Sequence, residues 1–366
     1  MPITLMLHGK HQLPNYPPVA YEPFGPWLVP WRFGDLSAEY RAIRHGTGIV
    51  DFSTQALIEC RGADRAGFLH RLLTNDIKRL SPGAGCRAAL LTDTGKLIAE
   101  LLILADADAT WLLCDLTAAD LVAQTLEKYH ITEDLTITNL ERAQALLALE
   151  GPDSLARIRR MTGSPALLPE PFTHTPAFLG DVSFRAIRHS ALSSGVWCLV
   201  DARHAETFWR SLIASEIPPI GWEAFNTARL EAGTPLFGID MDGTNLLPET
   251  GVETALCSET KGCYMGQEII ARMATYGSAN KKLMGLLLEG DDAPRAGDRI
   301  LRKGGGDEVG WVTSGTVSQD LKRPIALGYI KRGAYEAGTQ VEIVRGAART
   351  AAVVAARPLT VPETAL

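Results

Sequence analysis

Ala56-Leu57-Ile58-Glu59-Cys60-Arg61-Gly62-Ala63-Asp64 and Ala145-Leu146-Leu147-Ala148-Leu149-Glu150-Gly151-Pro152-Asp153 are one pattern written twice. Each is a short, mostly apolar run that ends at a glycine two residues before an aspartate. Such a run reads as a strand, and the spacing beyond it turns helical. After Asp64 the residues Phe68, Leu69, Leu72 and Leu73 share one face; after Asp153, Leu155, Ile158 and Met161 do. The first copy continues with strands over 88–92 and 97–104, joined by the hairpin-type turn Asp93-Thr94-Gly95-Lys96. A short strand over 111–114 precedes a helix capped by Thr117 with Asp120 at N3, and a strand over 135–140 follows. The second copy has strands over 182–188 and 196–200, then Asp201 ahead of a helix carrying Phe208, Trp209, Leu212 and Ile213. The recurrence predicts an internal duplication of a split β-α-β unit. The fold class is α+β, with two related ferredoxin-like layers.

Outward from the repeats, residues 11–31 hold Pro14, Pro17, Pro18, Pro23, Pro26 and Pro30 among Tyr16, Tyr21, Trp27 and Trp31. This reads as an irregular arm that packs by its rings. A helix is expected over 222–232, ending at Gly233. From 283 on, six strand patterns (283–288, 299–301, 308–318, 325–330, 340–344 and 350–355) alternate with glycine turns, which predicts a small terminal β-barrel or sandwich. The domains are therefore drawn as 1–140, 141–280 and 281–366.

Composition bounds the function. The chain has 366 residues, 46% hydrophobic and 21% charged, with 36 basic against 42 acidic residues and a net charge of −6. A general nucleic-acid binder needs a basic face, so direct tRNA binding is not expected. No apolar run approaches a membrane span, and the first ten residues lack a secretory pattern, so a cytoplasmic protein is expected. Four of the six cysteines (Cys60, Cys86, Cys114 and Cys198) lie in strand-like runs and none forms a CxxC pair, as in a reduced protein with mostly structural thiols.

The chemistry concentrates in Lys261-Gly262-Cys263-Tyr264-Met265-Gly266-Gln267-Glu268. Gly262 and Gly266 call for tight turning or close approach. From Gly266 the pattern reads as a helix start, which places Cys263 just ahead of a helix N-terminus with Lys261 two residues away. Both features would favour the thiolate. Two readings of Cys263 stand side by side: a functional thiol, or a small buried cysteine in a tight loop.

Four segments together resemble the glycine-cleavage T-protein superfamily, and more closely its YgfZ-type branch. They are Thr47-Gly48-Ile49-Val50-Asp51-Phe52-Ser53 with Leu73-Thr74-Asn75-Asp76-Ile77, then Ala228-Arg229-Leu230-Glu231-Ala232-Gly233, then the Lys261 to Glu268 motif, and finally Gly310-Trp311-Val312-Thr313-Ser314-Gly315 with Ile325-Ala326-Leu327-Gly328-Tyr329. The resemblance implies three domains in a ring around a site for tetrahydrofolate or a derivative. It implies that Glu231 holds the pterin and that Arg229, Lys261, Asn75 and Asp76 are further candidate folate contacts. A carboxylate can accept from the amino group and the ring N–H of a pterin edge together. For the YgfZ-type branch it implies folate-dependent support of iron–sulfur cluster assembly or repair. Cys263 would be the functional thiol, iron–sulfur proteins or their assembly factors the partners, and tRNA modification an indirect consequence. The alternative is an aminomethyltransferase or other one-carbon transferase. Against it, Ala99 stands where the transferases carry the first of two aspartates, and alanine transfers no proton. Glu100 follows it in a strand and should face the other way.

Overall fold

The computed structural model describes residues 2–359 apart from 15, 18, 277 and 278. The chain forms two compact units. One comprises Met1–Phe225 with Thr254–Gln267, the other Asn226–Glu253 with Glu268–Leu366. Among the described residues no helix is long and apolar enough to cross a membrane.

The first unit opens with β1 (Ile3–Thr4), β2 (Ala20–Phe24) and β3 (Trp27–Arg32), a three-stranded sheet in the order β1-β3-β2. The arm is thus regular where the prolines predict irregularity. Pro23 sits on the edge strand β2. Pro30, in β3, lies beyond the two residues that pair with β1, so its missing N–H costs no ladder bond on that side. The arm is tied down by a buried relay. His11 Nε2 lies 3.0 Å from Asp51 Oδ2, and its Nδ1 lies 2.9 Å from the Tyr21 hydroxyl. An ionised carboxylate accepts only, so Nε2 donates to Asp51, and the Tyr21 hydroxyl, able to donate or accept, completes the relay at Nδ1.

Next come α1 (Leu36–His45), β4 (Gly48–Asp51), β5 (Gln55–Arg61), α2 (Arg65–Leu72), β6 (Gly85–Leu91), β7 (Leu97–Ala105), β8 (Ala109–Asp115), α3 (Leu116–Tyr129) and β9 (Thr136–Asn139). The second copy follows as β10 (Gln144–Glu150), α4 (Ser154–Thr162), β11 (His174–Leu179), β12 (Val182–Ile187), β13 (Gly195–Asp201) and α5 (Ala205–Ala214). The two antiparallel sheets run β6-β7-β8-β5-β9 and β11-β12-β13-β10-β4. Element for element the orders match, so the duplication is real. The fifth strand differs: the first copy supplies its own β9, whereas the second takes β4 from ahead of the first copy.

The glycine of each repeated turn explains how the fifth strand finds its place. Gly62 and Gly151 have φ of +113° and +121°. A Cβ on Gly62 would lie 2.1 Å from the Asp134 carbonyl oxygen, just before β9. One on Gly151 would lie 2.5 Å from the Gly46 carbonyl oxygen, just before β4. The aspartate amides seal the same crossings, Asp64 N to Asp134 O at 3.2 Å and Asp153 N to Gly46 O at 3.0 Å. An aspartate also ends the strand ahead of the last helix in each copy, and in the first it takes the capping role expected of Thr117. Asp115, not Thr117, caps α3, its Oδ1 accepting from Thr117 N at 2.9 Å, and Asp201 accepts from Arg203 N at 2.9 Å. Burial pushes the Asp115 carboxyl up to about 6, while the Arg203 guanidinium holds that of Asp201 down at about 2.

Under the second sheet, Leu147, Leu149, Val196 and Cys198 pack on Phe208, Trp209 and Leu212 of α5. Each such side chain contributes about 1.5–3 kcal/mol by leaving water. Glu150, at the end of β10, is fully buried. It accepts from the Ser190 hydroxyl, from Ala191 N at 3.1 Å and from Trp197 Nε1 at 3.0 Å.

The chain continues as α6 (Trp222–Glu231), α7 (Leu247–Thr250), α8 (Glu253–Leu256) and α9 (Gln267–Tyr276). The second unit then holds β14 (Lys281–Leu288), β15 (Arg299–Arg302), β16 (Glu308–Ser318), β17 (Arg323–Lys331), β18 (Gln340–Arg345) and β19 (Ala348–Ala355). They close as β14-β17-β16-β15-β18-β19, with β19 pairing back on β14, so the barrel leaves no edge.

Gly62→Ala and Gly151→Ala should each destabilise the fold beyond the about 1–3 kcal/mol of a strained backbone alone, because main chain occupies the Cβ position. Urea unfolding reads this, and a loss under about 1 kcal/mol would mean that the crossing can give way. Glu150 supplies a pH signature. Burial raises its carboxyl from an ordinary 4.5 to about 7, so between these values the folded chain keeps a proton that the unfolded chain releases. Stability should therefore fall as pH rises through that window, by roughly 3 kcal/mol from this group. Glu150→Gln should flatten the slope in chemical unfolding at pH 4.5, 6 and 7.5; an unchanged slope would assign it elsewhere.

Candidate functional site

The motif loop belongs to the first unit and is anchored at both ends. At one end Lys261 Nζ donates to the carbonyls of His70 at 2.5 Å, of Asn75 at 3.1 Å, and of Leu73. Those oxygens lie in the last turn of α2 and just past it, where helix carbonyls lack intrahelical partners and the dipole favours a cation. At the other end Gly266 has φ +79°, and a Cβ there would lie 2.5 Å from the Thr92 carbonyl oxygen in the β6–β7 turn. Two conditions thus require glycine at 266. A Cβ on Gly262 would meet nothing within 4 Å and its φ is not in the left-handed region, so neither the tight turn nor the close approach expected there is found. Between the anchors the Tyr264 ring lies 5.2 Å from Lys261 Nζ, and its hydroxyl hydrogen-bonds Cys257.

Cys263 is exposed at the crest of this loop. This decides between the two sequence readings against a buried structural thiol. The mechanism expected for its activation is not the one observed. The α9 helix begins four residues later, and the Lys261 ammonium is directed at the α2 carbonyls. Burial draws that ammonium down to about 8, with Asp76 opposing, which leaves it charged at neutral pH. Lys261 is therefore a helix-capping cation here. Cys60, Cys86 and Cys114 are strand residues whose thiols burial pushes up to about 12, and Cys198 is raised likewise, in keeping with structural roles.

Asn75 and Asp76 stand beside Lys261, so three of the six expected site residues converge. Their side chains face inward contacts. Asn75 Nδ2 donates to the Arg87 carbonyl at 2.8 Å, and its Oδ1 accepts from Asp76 N at 2.8 Å. Asp76 lies 3.2 Å from both His70 Nδ1 and Arg79 Nε. On β7, Ala99 is fully buried, and Glu100 faces the other way, accepting from Arg87 Nε at 2.9 Å.

The other two expected residues belong to the second unit. Arg229 pairs with Asp240. It is fully buried, its Nη1 bound to Asp240 Oδ2 and its Nε to Asn226 Oδ1 at 2.9 Å. Asp240 also accepts from Thr313 Oγ1 at 2.6 Å, Ser314 Oγ at 2.5 Å and Leu236 N at 3.0 Å. A cation two residues before an acid reads as its partner in sequence, but two residues are about 200° of helix, which sends the two side chains to opposite faces. Glu231 ends α6 at 5% exposure, and its Oε1 accepts from Ser318 Oγ at 2.6 Å and Asp320 N at 3.4 Å. Gly233, in the left-handed region at φ +69°, follows at the helix end as expected. Asp240, Thr313 and Ser318 were missed by sequence reasoning; only an acidic pair, Asp240 and Asp242, in a glycine-rich loop gave a signal. Among the described residues no group of three or more His, Cys, Asp and Glu side chains could hold a metal ion.

Comparison with known proteins places this architecture. The family described as GCVT N-terminal domain matches residues 18–259, and the glycine cleavage T-protein C-terminal barrel domain matches residues 281–360. An aminomethyltransferase of Synechococcus sp. (strain CC9902) is 31% identical over 348 residues, 91% of this chain and 93% of the relative. Another, of Parasynechococcus marenigrum (strain WH8102), is 30% identical and spans 96% of this chain and 98% of the relative. The crystal structure of glycine cleavage system aminomethyltransferase T from Bartonella henselae covers 98% of both chains with a TM-score of 0.86 at 22% identity, a likeness of fold. With two thirds of its length matched by the first domain and its closed barrel by the second, the chain belongs to the glycine-cleavage T-protein family.

Proposed function

We propose that the chain is a tetrahydrofolate-binding protein of the YgfZ type, which supports iron–sulfur cluster assembly or repair through the thiol of Cys263. The observation that carries this reading is the pairing of an exposed Cys263, mounted on an anchored loop, with a fully buried Ala99 where an acid would be needed for aminomethyl transfer. Thiolates bind iron and exchange with disulfides, so one thiol on a fixed crest suits transient handling of iron, sulfur or electrons. Iron would be cargo passed to or from a cluster protein, and tRNA modification a downstream consequence.

Glu231 fits the folate. It is a buried carboxylate whose neighbours on the barrel fix its orientation, and a carboxylate matches the paired N–H groups of a pterin edge. Bound folate would supply a one-carbon carrier or a ligand signal. The role of this chain is to anchor and orient the pterin. Arg229, Asn75 and Lys261 serve the protein's own framework, Arg229 by fixing the Asp240 loop beside the barrel strand β16.

A second reading is aminomethyl transfer to folate, favoured by two full-length relatives that carry the name aminomethyltransferase. It leaves Cys263 without a task and lacks an acid at position 99.

Calorimetric titration with tetrahydrofolate should show binding by the parent. Glu231→Ala should weaken it about 10- to 100-fold, the worth of one or two charge-assisted hydrogen bonds. No binding by a folded parent would remove folate from either reading. Cys263→Ser should bind folate normally yet fail to sustain cluster-enzyme activity in cells deprived of the parent chain. Full support by the variant would take the thiol out of the function. Purified chain should not move a one-carbon unit from an aminomethyl donor to tetrahydrofolate; turnover would favour the second reading.

A further inference from the structure

Residues 257–266 form a short bridge between two fixed points of the first unit, the C-terminal end of α2 and the β6–β7 turn. The far end is held by shape, because Gly266 can be nothing larger. The near end is held by the Lys261 ammonium together with hydrogen bonds from Ser258 N to the Thr74 carbonyl at 3.1 Å and from Lys261 N to Ser258 Oγ at 3.2 Å. Lys261 Nζ lies among three carbonyl oxygens, those of His70, Leu73 and Asn75. The charged or titratable groups around it are Asp76 and His70 beside α2, Cys86 on β6 and Cys257 on the loop itself, with the Tyr264 ring over it. Asp76 lies nearer in charge terms than either thiol, and His70 loses basicity to this ammonium as well as to burial. No contact places Lys261 against Cys263. Lys261 sets instead where the chain two residues before the thiol must run.

We infer that Lys261 is a positioning residue for Cys263, its ammonium docking the loop on the carbonyls that end α2 so that residue 263 stands out between two fixed points. The inference rests on the reading of Cys263 as the working thiol. Docking needs a cation with several donors. A methionine fills the space of the lysine stem, one atom short of the ammonium, and offers no proton, whereas an arginine keeps the charge and can still reach carbonyls. Orphan carbonyls at a helix end are the complementary half, since they would otherwise face the loop without donors.

The test uses hydrogen exchange, followed by mass spectrometry on the full chain, for the parent, Lys261→Met and Lys261→Arg. Support of cluster enzymes in cells is measured for the same three, for Cys263→Ser and for the Lys261→Met, Cys263→Ser double variant. Protection of the amides in 258–266 should fall tenfold or more in Lys261→Met, while α3 and the β5–β8 ladder keep theirs. Lys261→Arg should recover most of the loss. Cluster-enzyme support should follow protection across the three, and the double variant should be no worse than Cys263→Ser. Unchanged protection in Lys261→Met overturns the inference, as does equal loss in Met and Arg variants, which would mean a role in packing alone. Full support by Lys261→Met despite lost protection, with Cys263→Ser inactive, also overturns it. If Cys263→Ser itself retains full support, the reading of the thiol falls, while the exchange result still decides whether Lys261 holds the loop.

Discussion

Everything in the first unit depends on two places where one chain passes over another with no room for a side chain. At Gly62 the passing segment is the one that enters β9, and at Gly151 it is the one that enters β4. A glycine in the left-handed region turns the strand end toward its helix and at the same point lets a carbonyl lie where a Cβ would be. The amide two residues on then donates to that carbonyl. One device therefore ends the first strand, starts the helix and lays the fifth strand beside the first. Because it is used in the same way twice, both sheets acquire the same order.

The buried polar groups divide by what holds them. Arg229 and Asp240 meet in the second unit with hydroxyl and amide donors around the carboxylate, an arrangement in which removing either partner leaves a buried charge. Glu150 has hydroxyl, indole and amide donors but no cation, so its proton is the cheaper way to satisfy burial. Lys261 is between these cases, a cation hydrogen-bonded by backbone oxygens with the Asp76 charge nearby. Asp115 caps α3 and Asp201 caps the short 3-10 turn ahead of α5, yet one is buried and the other shares an exposed guanidinium, which moves their carboxyls in opposite directions.

Periodicity made most of the fold legible. All six barrel strands lie where apolar alternation and glycine turns place them, and Gly62, Gly151 and Gly233 do what their positions require. The sequence was opaque where pairing partners are remote or short. β4 has four residues, precedes the first copy and pairs with a strand of the second, and β11 is an edge strand that carries Pro176. The arm's hairpin was hidden by prolines that sit only where no ladder bond is lost. At the site, the glycine at 266 was legible from spacing, whereas the sequence left Cys263 open between an exposed and a buried thiol. The target of Lys261 was not, because backbone carbonyls leave no trace in a pattern of side chains. Nor was the partner of Arg229, an aspartate eleven residues on in a stretch that reads as loop.

The borrowed β4 has a consequence for how the chain is made. A ribosome delivers residues 48–51 about a hundred positions before β10, the strand they must pair with, so this short apolar segment emerges with its partner not yet synthesised. The first sheet can close on its own β9 in the meantime, but the second cannot close until the chain returns to the segment that preceded the first. The two halves are thus clasped by order of synthesis as well as by pairing. A cut between them at residue 140 would leave the second half without its outermost strand and the first half with an unpaired one.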